Sequence, residues 1–205
     1  MIRNIVFDIG NVLGIFRWRE YIESLGYKGE AAERLAKATT QNILWREIDR
    51  GVMPLDEIIE RMIATDPEME EAIRLFFVDR RTLVEEYDYS AGWLKELKSR
   101  GYGIYLLSNY SEDHFQYITS KYRFFGNEDG RVISYQEKVL KPEPEIYNIL
   151  FERYGLVPGE CVFLDDTPEN IEGAVNVGMK GIVFKNYEQG RAELEALLSK
   201  EGLEA

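Results

Sequence analysis

The 205-residue chain carries a formal net charge of −12, with 45% hydrophobic and 30% charged residues. This is an ordinary globular mix for one core-bearing domain with a modest insert, and the acidic balance argues against nucleic acid or an anionic membrane as partner. The single cysteine, Cys161, excludes an internal disulfide, so we expect the reducing cytoplasm. We identify no signal peptide or membrane span, and the sequence leaves the oligomeric state unknown.

Short apolar runs predict a parallel sheet that is covered on both faces. They lie at residues 5–7, 104–107, 161–164 and 181–184, with a fifth candidate strand at 132–135. The runs lack polar alternation, which is typical of strands buried on both sides. We therefore expect a Rossmann-like, doubly wound α/β core formed by residues 1–14 and 86–205.

Residues 15–85 interrupt this rhythm with helical patterns only. Four apolar stripes at helical spacing begin near Trp18, Leu35, Leu55 and Met69, and Ile43 is assigned to the second stripe. No convincing strand occurs in this stretch. We predict a small all-helical cap inserted directly after the first strand.

The predicted core helices have clear start and stop signals. One covers residues 91–100, and another begins near Pro142 and Pro144 and ends before Gly155. A third has Thr167 as its N-cap, Pro168 at its first position and an end near Gly178. These helices alternate with the strands, as a doubly wound fold requires.

Polar side chains stand at the carboxyl ends of the predicted strands, where doubly wound sheets bind ligands. These side chains are Asp8, Ser108, Asn109, Lys141 and the pair Asp165 and Asp166. Each has an ordinary structural alternative: a strand-end aspartate or Ser-Asn pair serves as a helix cap or turn, and Lys141 alone is solvated surface. Adjacent aspartates also favour a helix dipole, although they repel unless a cation or donor offsets their charge.

Taken together, these residues fit phosphoryl transfer. Asp8 can attack phosphorus to form an aspartyl-phosphate. Mg²⁺ would offset the repulsion between the two anions, held by Asp8 and Asp166, with Asp165 bound directly or through water. The Ser108 hydroxyl, the Asn109 backbone and Lys141 would hold the phosphate oxygens.

Four stretches, "VFDIGNVL", "YLLSN", "KPEPEIY" and "VFLDDTPENIEGAVNVGM", resemble the motifs of the haloacid dehalogenase-like (HAD) superfamily. The closest likeness is to its D-x-G-N-V phosphatase branch, which includes sugar-phosphate phosphatases such as glucose-1-phosphate phosphatase. The resemblance covers residues 1–14 and about 86–186. It implies Mg²⁺, a covalent intermediate on Asp8, phosphate binding by Ser108 and Lys141, and metal binding by Asp165 and Asp166.

The chain departs from this pattern at Gly10. Most phosphatases of the superfamily have a second aspartate at this position, which serves as general acid and base. General acid–base catalysis typically accelerates a reaction about 10²–10⁴-fold. The backbone carbonyl of Gly10 can still face the metal, but the proton donor is missing. Without a replacement from the cap, we expect a steep dependence on leaving-group quality and a long-lived aspartyl-phosphate.

The sequence thus predicts a Mg²⁺-dependent phosphatase for a small phosphate ester, with a sugar phosphate as the best guess. One alternative is a hydrolytic dehalogenase that uses Asp8, against which the metal-binding Asp165–Asp166 pair argues. Another is a catalytically weak member that binds a phosphorylated ligand or a protein partner, which Gly10 keeps open. His114, the only histidine, is expected on an exposed helical turn and outside the site.

Overall fold

A five-stranded parallel sheet forms the centre of the computed structural model, which describes residues 1–202, with side chains to residue 199. The strands in chain order are β1 (Asn4–Phe7), β2 (Gly14–Phe16), β3 (Val84–Glu86), β4 (Gly103–Ser108), β5 (Gly130–Ile133), β6 (Cys161–Asp165) and β7 (Lys180–Val183). The main sheet has the order β5-β4-β1-β6-β7. This arrangement confirms the predicted α/β class.

Both faces of the sheet are buried, because consecutive residues of each central strand enter different cores. In β1, Ile5 and Phe7 belong to one hydrophobic cluster and Val6 to another. In β6, Leu164 joins the first cluster and Phe163 the second. The two-sided burial explains why the strands read as continuous apolar runs without alternation.

Six helices accompany the sheet in the described residues after β3. They are α6 (Ser90–Ser99), α7 (Glu112–Thr119), α8 (Ser134–Glu137), α9 (Pro144–Tyr154), α10 (Pro168–Asn176) and α11 (Tyr187–Gly202). Side chains of α6, α7 and α11 pack in the first cluster, and those of α9 and α10 in the second. Helices therefore cover both faces of the sheet, as in a Rossmann-like fold.

Five further α-helices lie between β2 and β3 and have a hydrophobic cluster of their own. They are α1 (Trp18–Ser24), α2 (Gly29–Ala38), α3 (Trp45–Arg50), α4 (Leu55–Thr65) and α5 (Glu70–Phe76), with a 3₁₀ turn at Pro67–Met69. Ile22, Leu35, Met62 and Phe76 are among the residues of this cluster. We call these helices the helical insert.

Several local predictions need correction. Strands β2 and β3 pair antiparallel at the two ends of the helical insert, where the sequence predicted helices alone. They are three residues each, too short for a periodic signal. Strand β5 ends at Ile133, two residues before the predicted end, and Tyr135 belongs to α8. Ile43, assigned to an apolar stripe, is 74% exposed.

The helix at residue 168 begins as predicted, but its cap works differently. Thr167 occupies the N-cap position and Pro168 the first turn, yet the Thr167 side chain makes no capping hydrogen bond.

No helix within residues 1–202 is both long and apolar enough to cross a lipid bilayer.

Polar contacts fasten α3 of the helical insert to the core beside the carboxyl ends of the strands. Arg50 donates two hydrogen bonds to the carboxylate of Glu143, at 3.0 and 2.7 Å. The Ser134 hydroxyl donates to the backbone carbonyl of Asp49 at 2.6 Å. Lys138 Nζ donates to the carbonyl of Gly51, also at 2.6 Å. The end of α3 is thereby held over the sheet edge on which ligands bind.

The core of the helical insert depends on Phe76, which is fully buried and stacks edge-on against Tyr21 and Trp45. Phe76→Ala should lower the free energy of unfolding by about 3–5 kcal/mol, because it leaves a cavity among these rings. Val78→Ala is the matched control, since Val78 is 76% exposed and its truncation should change little. Urea unfolding of the three proteins measures this, and equal stabilities would contradict the described packing.

Candidate active site

The predicted site residues meet at the carboxyl edge of the sheet because the strands are parallel and in register. Phe7 of β1 lies opposite Leu106 of β4 and Leu164 of β6. Asp8 is therefore brought beside Ser108 on one side and beside Asp165 on the other. The Ser108 hydroxyl donates a hydrogen bond to Asp8 Oδ1 at 2.6 Å.

Lys141 lies between two of the aspartates and is almost completely buried. Its Nζ is 2.8 Å from Asp8 Oδ1 and 2.5 Å from Asp165 Oδ2. Burial alone would lower the pKa of Lys141, but Asp165 and Asp8 outweigh it and raise the pKa above its ordinary value. Lys141 is therefore a fixed cation and not the solvated surface residue that it would be in isolation.

The carboxylate of Asp165 is saturated with donors from the protein. Oδ1 accepts a hydrogen bond from the backbone N–H of Thr167 at 2.8 Å, and Oδ2 accepts one from Lys141. The Asn170 side-chain amide contacts both oxygens, at 3.0 and 3.1 Å. This network holds Lys141 beside Asp8 and leaves Asp165 little capacity for a further direct ligand.

Asp166 is oriented by Asn11, which has a positive φ of 52° in the turn after β1. Asn11 donates from Nδ2 to Asp166 Oδ2 at 2.8 Å, and its Oδ1 accepts from the backbone N–H of Phe16. Burial, followed by the neighbouring charge of Asp165, raises the pKa of Asp166 against the opposing effect of Asn11. Asp166 lines the cavity described below and forms no ion pair with a cationic side chain of the described residues.

The donor set fits a hard divalent cation. Asp8, Asp165 and Asp166 each offer an oxygen within 4.8 Å of the others. When ionised, three carboxylates against one ammonium leave two negative charges uncompensated. Burial, together with Asp165 and Asp166, raises the pKa of Asp8 to about 7 despite the attraction of Lys141. A divalent cation at this point would remove that penalty.

Asn109 has a structural task beside the phosphate-binding role predicted for its backbone. Its side chain accepts a hydrogen bond from the Lys141 backbone N–H at 2.9 Å and donates to the Lys141 carbonyl at 3.1 Å. The end of β4 therefore fixes the segment that carries the lysine. This two-way amide contact places Lys141 without using its ammonium group.

A cavity of about 200 Å³ opens above this cluster and lies between the core and the helical insert. From the core, Gly10, Asn109 and Asp166 line its floor. From the helical insert and its connecting strands come Asp49 and three apolar or aromatic groups, which are Phe16, Trp45 and Val84. Asp8 lies next to Gly10, since a Cβ built at Gly10 would be 3.9 Å from Asp8 Oδ2.

His114 corrects the sequence-based expectation of an exposed turn. It is buried on α7, lines the cavity, and lies between the rings of Tyr110 and Tyr117. Its Nε2 has no hydrogen-bond partner among the residues that the structure describes. Burial and, to a smaller extent, Arg80 lower the pKa of His114 to about 4, against the attraction of Asp113. The imidazole is therefore neutral at pH 7.

Gly10 has no conformational requirement for glycine. Its φ is not positive, and a Cβ built at this position would meet only Asp8 Oδ2, at 3.9 Å. A side chain would therefore enter the site without a backbone clash. The absence of an acid at position 10 is a property of the sequence and is not imposed by the local fold.

Sequence reasoning missed Asn11, Asn170 and Asp49 as members of the site. Asn11 stood inside the first motif and Asn170 three residues after the predicted N-cap, so a signal existed for both. Asp49 had none, because its proximity depends on how α3 packs against the core. The residues predicted for the site, Asp8, Gly10, Ser108, Asn109, Lys141, Asp165 and Asp166, are brought together.

Comparison with known proteins agrees with this geometry. Residues 2–178 match the family model of the haloacid dehalogenase-like hydrolases. The chain is 29% identical over 217 residues to D-ribitol-5-phosphate phosphatase from Bacteroides thetaiotaomicron, covering 97% of this chain and 100% of that protein. It is 28% identical over 172 residues to flavin mononucleotide hydrolase 1 of Arabidopsis thaliana, covering 76% of this chain and 62% of that protein.

A solved structure shows the same fold. It is a HAD family enzyme from Bacteroides thetaiotaomicron in complex with magnesium and inorganic phosphate. The TM-score is 0.70 at 23% identity, with 90% of this chain and 95% of the other covered. The chain belongs to the haloacid dehalogenase-like hydrolase family, and its phosphatase-named relatives support the class of phosphoric monoester hydrolases.

The buried neutral His114 should make stability pH-dependent. Its pKa is about 4 in the folded protein, against about 6.5 when unfolded, so its contribution is complete above pH 6.5 and lost as pH falls toward 4. Relative to His114→Phe, the wild type should lose about 3 kcal/mol of unfolding free energy between pH 7 and pH 4. Urea unfolding of both proteins at the two pH values tests this. Parallel losses would contradict the buried environment of His114.

Proposed function

We propose that this protein is a Mg²⁺-dependent phosphatase that hydrolyses a small phosphate ester through an aspartyl-phosphate on Asp8. The observation that carries the proposal is the buried arrangement of Asp8, Ser108 and Lys141 beside Asp166. It combines a nucleophile, two groups that can bind phosphate oxygens, and carboxylates that require a cation. The comparisons add phosphatases among the relatives and a fold neighbour with bound magnesium and phosphate.

The metal would be held by Asp8, Asp166 and the backbone carbonyl of Gly10, with solvent completing its coordination. Asp165 would serve the metal through water, because its oxygens already accept hydrogen bonds from Lys141, Asn170 and Thr167. When bound, Mg²⁺ supplies charge neutralisation for the approach of the carboxylate to the phosphate.

Each protein group would have a distinct role in the two steps of the reaction. Asp8 attacks phosphorus, and the bond from phosphorus to the ester oxygen breaks. Ser108, Lys141 and the Asn109 backbone hold the phosphate oxygens as charge moves onto them. Water then attacks phosphorus, the bond to Asp8 breaks, and inorganic phosphate is released.

The helical insert would act as a cap that closes the site and selects the substrate. It contributes the upper wall of the cavity, and its α3 is fastened to the core by the Arg50–Glu143 ion pair. We take residues 15–85 as this cap and residues 1–14 and 86–205 as the hydrolase core. The acidic net charge of −12 and the single cysteine favour a small cytoplasmic substrate over nucleic acid or membrane.

The alternative reactions have less support. A dehalogenase needs no cation, so the cluster of Asp8, Asp165 and Asp166 would remain an uncompensated cost. A protein that only binds phosphorylated ligands would not need a carboxylate placed for attack. Turnover that depends on Mg²⁺ separates the phosphatase from both.

Asp166→Asn should weaken Mg²⁺ binding by more than about 10-fold and lower phosphatase activity in parallel, since a charged ligand is lost. Calorimetric titration with Mg²⁺ and turnover of 4-nitrophenyl phosphate are the measurements. Asp88→Asn is the control, because Asp88 is fully exposed and forms a surface ion pair with Arg123. Turnover that survives a chelator, or unchanged Mg²⁺ affinity in Asp166→Asn, would show that the metal role is wrong.

Substrate size gives a separate prediction. The cavity of about 200 Å³ is smaller than the roughly 300–1,000 Å³ of sites for drug-sized ligands. Polyol and sugar phosphates of five or six carbons should therefore have higher kcat/KM than flavin mononucleotide. A panel of both kinds of ester, each with Mg²⁺, provides the ranking. A preference for the flavin nucleotide would contradict selection by a cavity of this size.

A further inference from the structure

The proposed phosphatase lacks a proton donor at position 10, so another residue of the site must supply the proton. A donor must line the cavity, carry a proton near neutral pH, and be free of other partners. Three titratable side chains of the cavity wall lie outside the metal-binding set, namely Asp49, His114 and Tyr110. Burial raises the pKa of Tyr110 well above its ordinary value, so its hydroxyl is a weak acid and stays protonated near neutral pH. His114 is neutral with a pKa of about 4 and is held among aromatic rings, which leaves Asp49.

Asp49 lies at the end of α3 and lines the cavity together with Gly10, Asn11 and Asp166. Its carboxylate is half-buried and makes no hydrogen bond or ion pair to the residues that the structure describes. Every other aspartate at this edge of the sheet has a protein donor. An unpartnered carboxyl group in a confined space is available to a substrate.

The fold holds the end of α3, which carries Asp49, at three points. The Ser134 hydroxyl donates to the Asp49 carbonyl and also accepts the backbone N–H of Tyr110, at 2.6 and 2.9 Å. The next residue, Arg50, pairs with Glu143, and Gly51 accepts from Lys138. These contacts join α3 to the end of β4 and to the loop that carries Lys141. The position of Asp49 is therefore tied to the same elements that position the nucleophile.

We infer that Asp49 replaces the missing aspartate at position 10 and acts from the helical insert as general acid and then general base. The inference rests on the proposed function. Closure of the insert over the core is then part of the reaction, because the proton donor belongs to the insert and not to the core.

The two half-reactions balance with one proton. In the first, Asp8 forms a bond to phosphorus, the ester bond breaks, and the departing oxygen takes the proton of Asp49. In the second, the Asp49 carboxylate takes a proton from water as that water attacks the phosphorus. The bond to Asp8 then breaks and leaves phosphate, free Asp8 and protonated Asp49.

The surroundings of Asp49 favour its role as general acid and general base. Burial raises the pKa of Asp49 to about 7, since it outweighs the opposing attraction of Arg80, and the charge of Asp8 raises it further. A carboxyl group with a pKa near the working pH is suited to both donating and accepting a proton. The titratable and charged groups that face it are Asp8 of the core, Lys141, Arg80, Asp113, Asp166, His114 and Tyr110.

The test compares kcat/KM across esters of graded leaving-group pKa, from 4-nitrophenyl phosphate to alkyl phosphates, in the presence of Mg²⁺. The wild type should show a shallow dependence, because its leaving oxygen is protonated. Asp49→Asn should lose about 10²–10⁴-fold on alkyl phosphates and far less on 4-nitrophenyl phosphate. Asp56→Asn, on the exposed first turn of α4, is the matched control and should behave like the wild type.

Three further readouts separate proton transfer from a structural role. Asp49→Asn should show a burst of 4-nitrophenol, because hydrolysis of the aspartyl-phosphate has lost its base. The variant should also lose the fall of kcat/KM above about pH 7 that the wild type shows with alkyl phosphates as Asp49 ionises. Gly10→Asp in the Asp49→Asn background should restore alkyl phosphate turnover, since position 10 has room for a side chain.

Three outcomes would overturn the inference while leaving the phosphatase proposal intact. They are a steep leaving-group dependence in the wild type, an equal loss on all esters in Asp49→Asn, and no loss at all. The wild-type measurement stands even if a variant fails to fold, which circular dichroism would show. A wild type that turns over no ester with Mg²⁺ would instead contradict the proposed function itself.

Discussion

The buried ammonium group of Lys141 is the interaction on which the site depends. It lies 2.8 Å from Asp8 and 2.5 Å from Asp165, with almost no exposure to solvent. Two carboxylates and an ammonium are costly to bury apart, but together they offset much of that cost. The pairing joins the ends of β1 and β6 to the segment before α9. The rest of the fold serves to bring these three segments together.

The location of the site could be predicted from sequence, since parallel strands in register align their carboxyl ends. Asp8, Ser108 and Asp165 each end an apolar run and were therefore expected to meet. The paired strands β2 and β3 were not predictable, because three residues give no periodicity. The burial of His114 was missed because its exposure depends on tertiary packing, including ring contacts with Tyr110 and Tyr117.

The core and the helical insert contribute different chemistry. The core supplies the fixed charges, which need a rigid sheet edge and a cation to offset them. The insert supplies a wall with aromatic groups and the carboxyl group of Asp49. This division explains how a site with Gly10 at the position of the usual aspartate could still protonate the leaving group. The proposed acid belongs to the insert and would reach the leaving group only when the site is closed. In the proposed mechanism, closure would also exclude water and so strengthen the electrostatic interactions within the cavity.

The central claim is that Asp8 is a covalent nucleophile. Its most direct test is acid quenching of the wild type during turnover of an aryl phosphate with Mg²⁺, followed by peptide mapping by mass spectrometry. We predict one added phosphoryl group on the peptide that contains Asp8, and none in Asp8→Asn treated in the same way. A phosphoryl group on another residue, or an active enzyme in which no covalent species forms at any quench time, would contradict the account.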